Sequence, residues 1–401
     1  MAQNDKLDRE LDIVLFGATG FTGGLTADYL AEHAPAGLRW GLAGRSPERL
    51  AEVRERLAGI SPACANLTLV EADASDAEAL AALASRTRVV ISTVGPYLHH
   101  GEPLVAACAE AGTDYVDLTG EPEFVDRMWL HHHPKAVRTG ARLVHACGFD
   151  SVPHDLGAFF TVQHLSPDAP IRLRGVVRSS ATFSGGTFHS AMTAMSRARQ
   201  MKEASSTRRL AEPRPADGRY SRAVGGKPHR DSVLGYWLLP LPTIDPIIVA
   251  RSGAALASYG TEFRYSHYAG TKTLRYAAGG AAGVGLLGIA ARIDIARDLL
   301  LGRVKQGEGP DEERRDKSWF TVDFVAEQTV HNQPTVVRTR VSGGDPGYTE
   351  TAKMLAEAAM CLALDDNPPT SGQVTTAVAM GANLLDRLQR AGIGFEVVND
   401  D

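Results

Sequence analysis

Residues Ile13-Val14-Leu15-Phe16-Gly17-Ala18-Thr19-Gly20-Phe21-Thr22-Gly23 set three glycines at GxxGxxG spacing, after an apolar run and before a helical periodicity through Leu25, Tyr29 and Leu30. A short apolar run ended by a Gly turn and followed by that periodicity predicts a buried strand feeding a helix. Gly17 lets the chain turn sharply off the strand, Gly20 removes a side chain that would block a pyrophosphate, and Gly23 permits close helix packing. The free amides and positive dipole at the helix start then face phosphates. Gly17, Ala18, Thr19, Gly20, Phe21, Thr22 and Gly23 are therefore the expected diphosphate-binding residues. Gly-rich turns also occur in loops without function; position in the first βα turn, with a second strand following at the expected distance, separates the two cases.

Outward from this motif, short apolar or β-branched runs alternate with helical patterns: Asp12 to Phe16, Arg39 to Ala43, Thr68 to Glu71, Val89 to Thr93, Tyr115 to Asp117 and Arg142 to Ala146. Alternation of this kind predicts an α/β unit, a doubly wound parallel sheet of the Rossmann type, over residues 1–150. A chain of 401 residues exceeds what one core usually holds, so a second domain is expected. Beyond Pro153 the candidate strands lengthen, at Ile171 to Arg178, Gly260 to Tyr268, Trp319 to Val330 and Thr335 to Val341. The last two read as a hairpin closed by His331, Asn332, Gln333 and Pro334. Residues 151–345 thus predict an α+β domain of mixed sheet with helices on one face. Ser205 to Ser232, rich in Arg, Pro and Gly, reads as a long exposed loop, and from Tyr348 onward the periodicity is helical.

The second strand ends in Gly44-Arg45-Ser46, where an NAD-specific site would place an acidic residue for the ribose hydroxyls. A guanidinium there suits a 2′-phosphate, with Ser46 adding a hydroxyl, so the expected cofactor is NADP(H); otherwise Arg45 is a solvated helix-start residue. Asp73, after the third strand, is placed to border the adenine or to cap a helix starting near Ser75. Thr93-Val94-Gly95-Pro96 follows the fourth strand, where the nicotinamide ribose of such folds lies, unless it is only a Gly-Pro turn. Gly148 and Phe149, leaving the sixth strand, complete the expected cofactor set.

A net charge of -5 argues against general nucleic-acid binding. Four scattered cysteines, Cys64, Cys108, Cys147 and Cys361, show no disulfide or zinc spacing, and His131, His132 and His133, consecutive on a helix, diverge; no metal is expected. With no secretory pattern in Met1 to Glu10, a cytoplasmic location is expected. Tyr276 to Ala291 carries no charge but falls short of the ~20 residues of a spanning helix. It reads as a buried helix or one packed on a second subunit, as in a homodimer, with peripheral lipid contact the alternative. The arginines between Thr207 and Arg230 are either simply solvated or face an acidic carrier protein or anionic lipid.

With GATGFTG, AGR at Ala43 to Arg45, VGPY at Val94 to Tyr97, YVDLTGE at Tyr115 to Glu121 and CGFDSVPHDLG at Cys147 to Gly157, the chain resembles the saccharopine-dehydrogenase-like oxidoreductases. SGGT at Ser184 to Thr187, GEGPDEERRDKSWF at Gly307 to Phe320 and GDPGY at Gly344 to Tyr348 resemble the trans-acting enoyl reductase branch. The resemblance implies a Rossmann domain, a mixed second domain, C-terminal helices over 346–401 that return to the first domain, and NADP(H). For that branch it implies reduction of a carbon–carbon double bond on a lipid or polyketide acyl chain, in trans with a synthase. The broader family also implies saccharopine-type chemistry on an imine or secondary amine; a non-catalytic, lipid-associated NADP-binding scaffold is a third reading.

Enoyl reduction needs a hydride donor, a group that stabilises the enolate oxygen, and a proton source. Tyr97, beside the expected nicotinamide, is the leading candidate to polarise a carbonyl or deliver a proton, against a packing role. His99 and His100 come next. Asp150 and His154 should line the cleft between domains, against roles as a helix cap and a structural histidine. Tyr115, Asp117 and Glu121 lie at another strand end.

Overall fold

The computed structural model describes residues 8–181, 185–303 and 309–399. Ser184, Gly307 and Glu308 of the quoted motifs lie outside them.

The strands, in chain order, begin with β1 (Leu11–Phe16), β2 (Trp40–Gly44), β3 (Thr68–Glu71), β4 (Thr87–Ser92), β5 (Asp114–Asp117) and β6 (Arg142–Val144). There follow β7 (Ile171–Ser179), β8 (Tyr220–Ala223), β9 (His229–Arg230), β10 (Trp237–Pro240) and β11 (Glu262–Thr271). The last are β12 (Phe320–Val330), β13 (Gln333–Gly343), β14 (Gly372–Val374) and β15 (Gly394–Val397).

β1 is buried along its whole length, as a strand covered on both faces must be. It lies centrally in a parallel seven-stranded sheet of order β14-β6-β5-β4-β1-β2-β3. Reversal of strand order at β1/β4 puts a crevice at the carboxyl edge, the ligand position of open α/β sheets. Helix Thr349–Leu364 packs against β1, β4, β5 and helix Phe21–His33. Its Glu357 accepts from Tyr29 Oη at 2.8 Å and from Arg387 at 3.0 Å.

The second sheet runs β15-β13-β12-β7-β11-β10-β9, with β8 paired to β11. It is mixed: β7 and β11 are parallel, while β12 is antiparallel to both β7 and β13. Alternation puts Phe263, Tyr265, His267, Ala269 and Thr271 on one face of β11. Phe263 and Tyr265 are fully buried, on a strand packed by helix Asp245–Ala255; His267, Ala269 and Thr271 continue the same face into a cavity.

Three expectations are corrected. The hairpin turn is two residues, His331 (φ 48°) and Asn332 (φ 64°), both left-handed, and Gln333 and Pro334 already pair in β13. Paired positive φ values give the turn that matches strand twist, and asparagine is among the residues that tolerate it best. The segment after Tyr348 is not purely helical, for it adds β14 to the first sheet and β15 to the second. Ser205 to Ser232 is not a free loop: helix Ala198–Ala211 runs into it, and β8 and β9 follow.

That helix is anchored by charge. Buried Arg208 donates to Asp126 at 2.5 Å and to Glu212, and Arg197 donates to Glu123 at 2.7 and 2.8 Å, tying it to helix Pro122–Thr139 of the Rossmann unit. Removing one partner of a buried pair strands the other charge. Arg208→Ala is accordingly expected to lower unfolding free energy by about 3–5 kcal/mol, while exposed Arg209→Ala stays within ~0.5 kcal/mol. Urea titration of both variants measures the difference.

Candidate active site

The phosphate-binding turn is made by steric necessity. Gly17 has φ +96°, and a Cβ there would fall 2.6 Å from Thr93 Oγ1 and 2.8 Å from Val94 Cγ2. A Cβ on Gly23 would fall 2.1 Å from the Gly17 carbonyl oxygen, so only glycine lets helix Phe21–His33 dock this closely. Thr93 locks the arrangement, its hydroxyl donating to the carbonyls of Phe16 and Gly17 at 3.2 Å each. Ala18 is buried beneath the turn. At Gly20, the helix N-cap, a Cβ would meet only the Gly17 carbonyl oxygen at 3.4 Å, which leaves the approach to the helix open.

No acidic side chain occupies the first turn of this helix. Its unpaired amides and positive end thus remain available to an anion, as a dinucleotide's pyrophosphate requires. Two cations approach the same turn. Arg49 donates to the Thr19 carbonyl at 3.5 Å, and Arg315 stands 5.8 Å from the Phe21 ring.

Arg45 is exposed at the end of β2 and electrostatically coupled to Asp73 across the β2–β3 edge. Ser46 caps helix Pro47–Ile60, accepting from the Arg49 amide at 3.3 Å and donating to Glu48 at 3.0 Å. Asp73 does not cap a helix: it accepts from the amide and hydroxyl of Ser75, which hold its carboxyl below the usual range, and the cap of helix Ala77–Ser85 is Asp76.

A cavity of about 690 Å³ opens between the carboxyl edge of the first sheet and the far end of β7 and β11, a size suited to small-molecule sites. It brings together Gly20 to Gly23, Thr93, Gly95, Pro96, Tyr97, Gly148, Phe149, Asp150 and His154 from the expected set. Val94 packs on Gly17 instead. Phe149 joins the two units, its amide donating to Thr351 Oγ1 at 3.0 Å and its ring set edge-on to Phe320 at 4.9 Å. Phe21 is set edge-on to Tyr348 at 5.0 Å.

The catalytic expectations divide. Tyr97 is buried; its hydroxyl donates to the Ser92 carbonyl at 2.9 Å and accepts from the Leu118 amide at 3.2 Å. The phenol thus joins the ends of β4 and β5, and burial holds its pKa well above normal, which favours the packing role for a residue that also lines the cavity. His99 and His100 are exposed and outside the cavity. Asp150 does not cap helix Val152–Val162, whose N-cap is Ser151; its carboxyl faces the cavity, where burial pushes its pKa up to about 6.

His154 meets two groups that sequence reasoning missed. Its Nε2 lies 3.2 Å from Asp245 Oδ1, and His267 Nε2 lies 3.7 Å from Asp245 Oδ2. All three are buried and line the cavity. Burial holds the His267 imidazole down at about 3 and drives Asp245 upward. Glu121 also lines the cavity, accepting from the amides of Tyr97 at 3.1 Å and Leu98 at 2.8 Å, whereas Asp117 is spent on His145 and the Ala146 amide. His131 and His132 do not diverge: both reach Glu102 Oε1, at 2.8 and 3.3 Å.

Residues 13–144 match the saccharopine dehydrogenase NADP binding domain. Over 97% of both chains, the protein is 39% identical to a Mycobacterium tuberculosis protein named provisionally as a trans-acting enoyl reductase. It is 38% identical to the trans-acting enoyl reductase of Mycobacterium bovis, across 96% of this chain and 97% of that one. The chain belongs to the saccharopine-dehydrogenase-like family, in its trans-acting enoyl reductase branch. Saccharopine dehydrogenase of Saccharomyces cerevisiae shares the fold, with a TM-score of 0.57 at 12% identity over 97% of this chain and 100% of that one. The protein is thus an NADP(H)-binding oxidoreductase.

Arg45→Asp replaces a cation suited to a 2′-phosphate by an anion. Charge-assisted hydrogen bonds contribute about 1.5–3 kcal/mol, so NADPH affinity should fall about 10–100-fold while NADH affinity is little changed. Calorimetric titration with both nucleotides checks this, and equal weakening would remove Arg45 from 2′-phosphate recognition.

Proposed function

We propose that this member of the family reduces an activated carbon–carbon double bond in an acyl chain of the lipid or polyketide type, with NADPH as reductant. The observation that carries the reading is a protonatable carboxyl, Asp150, facing a cavity walled by Leu118, Phe149, Val177, Leu241 and Ala269 beside the expected nicotinamide position. Held along the glycine turn by the free amides of helix Phe21–His33, NADPH would supply the hydride for the β-carbon of the enoyl group. Asp150 then gives its proton to the α-carbon as the enolate collapses, and a pKa near 6 keeps it close to the range where a carboxyl serves as acid at neutral pH.

Substrate polarity supports the same choice. Saccharopine-type substrates carry several carboxylates and call for converging guanidiniums. Among the described residues that line the cavity, Arg178 is the one arginine; its guanidinium stacks on Tyr236 at 4.4 Å and donates to that hydroxyl at 2.8 Å. An apolar chain suits these walls better.

We read the side of delivery from helix Leu274–Ala290, which starts just after cavity-lining Thr271 and packs on β10 and helix Gly185–Ser196. Far from being buried, it exposes Leu274, Tyr276, Leu286 and Ile289, while no described helix is long and apolar enough to cross a membrane. Such a surface favours a lipid-borne substrate over recognition of an acidic carrier by the segment from Thr207 to Arg230, where Arg208 is buried in an ion pair.

Turnover is to be followed by NADPH absorbance, first with enoyl thioesters of increasing chain length, then with 2-oxoglutarate plus lysine. Oxidation is expected with the first panel alone; oxidation with the second alone would reverse the assignment. Asp150→Asn should cut kcat by about 10²–10⁴ while leaving NADPH affinity intact, and unchanged kcat would exclude Asp150 as the acid.

A further inference from the structure

The three groups meeting at the cavity wall have a geometry that a proton pair does not explain. His154 stands in the first turn of helix Val152–Val162, Asp245 opens helix Asp245–Ala255, and His267 points from β11. One ligand-type atom from each lies within 4.8 Å of the other two. Asp245 Oδ1 is 3.2 Å from His154 Nε2, yet this buried oxygen makes no hydrogen bond. A carboxylate oxygen buried without a hydrogen bond calls for a partner that the neighbouring side chains do not supply.

The spacing suits a metal ion. Zinc bonds of about 2.0–2.2 Å in tetrahedral geometry set neighbouring ligand atoms about 3.3–3.5 Å apart; Asp245 Oδ1 stands 3.2 Å from His154 Nε2, and the other carboxylate oxygen, Oδ2, stands 3.7 Å from His267 Nε2. The outer shell is present too: His267 Nδ1 lies 3.0 Å from Tyr265 Oη. Donation of that N–H to the phenol leaves the Nε2 lone pair free to coordinate, the usual way a ligating histidine is oriented. Two imidazoles with one carboxylate select a borderline transition ion over magnesium or calcium, which take all-oxygen sites.

We propose that His154, Asp245 and His267 bind one zinc ion, with a fourth coordination position open toward the cavity. The proposal rests on this geometry and is independent of the reaction assigned above. An open position on such an ion accepts a water or a carbonyl oxygen and polarises it. The sequence expectation of no metal considered local spacings, and these ligands come from three distant segments.

The test uses the full chain, stripped with chelator and checked for NADPH binding, and titrated with ZnCl₂ by calorimetry and with CoCl₂ by visible absorption. One equivalent of zinc per chain, with the intense d–d bands of tetrahedral cobalt, is expected. Asp245→Asn should remove both signals. Tyr265→Phe, a milder change, should weaken zinc about 10–100-fold. His131→Gln/His132→Gln, at the surface cluster with Glu102, should leave them unchanged. Absence of a stoichiometric site, survival of the cobalt bands in Asp245→Asn, or their loss in the His131/His132 variant would overturn the assignment.

Discussion

The approach of helix Phe21–His33 to the end of β1 governs the rest of the molecule. A Cβ at Gly23 would sit 2.1 Å from the Gly17 carbonyl oxygen, so the close packing exists only because Gly23 carries no side chain. From it follow the direction of the helix, the aim of its free amides and the location of the pyrophosphate. Thr93, reaching back from β4, makes the same contact register the neighbouring strand end, where the nicotinamide half is expected.

The second unit extends that geometry by a single strand face. Along β11, side chains on one side pass from full burial at Phe263 and Tyr265 to the cavity at His267, Ala269 and Thr271. Core and site are therefore continuous, and rigidity at one end is transmitted to the other without a loop between them. Phe149 closes the remaining gap with an edge-on aromatic contact to Phe320 across the domain boundary, and Phe21 makes a like contact with Tyr348, where the C-terminal helix begins.

Much of the first sheet was legible because its cues are local. Buried runs such as Ile13 to Phe16 and Val89 to Ile91, each followed by a turn, need no tertiary knowledge to interpret. β8, β9, β14 and β15 span two to four residues, too short to display a period, so their pairing depends on partners elsewhere. The Ser205 to Arg209 stretch looked like a solvated loop since Ser, Thr and Arg dominate it; only the buried Asp126 explains Arg208. For Asp245 and His267 no signal existed. Nothing in Thr243-Ile244-Asp245-Pro246 or Ser266-His267-Tyr268 announces a functional pair, because the fold alone makes them neighbours. Tyr97 is the opposite case: its place at the cavity is legible from the sequence, but the two main-chain partners of its hydroxyl are not.

The placement of β14 and β15 bears on how the chain reaches its native state. β14 completes one sheet by pairing with β6, and β15 edges the other by pairing with β13. A polypeptide emerging from the ribosome therefore cannot finish either unit until residues 372–397 are synthesised. Domain-by-domain maturation, common in larger proteins, is here completed in both units by one C-terminal segment, and each sheet gains its last edge strand late in synthesis.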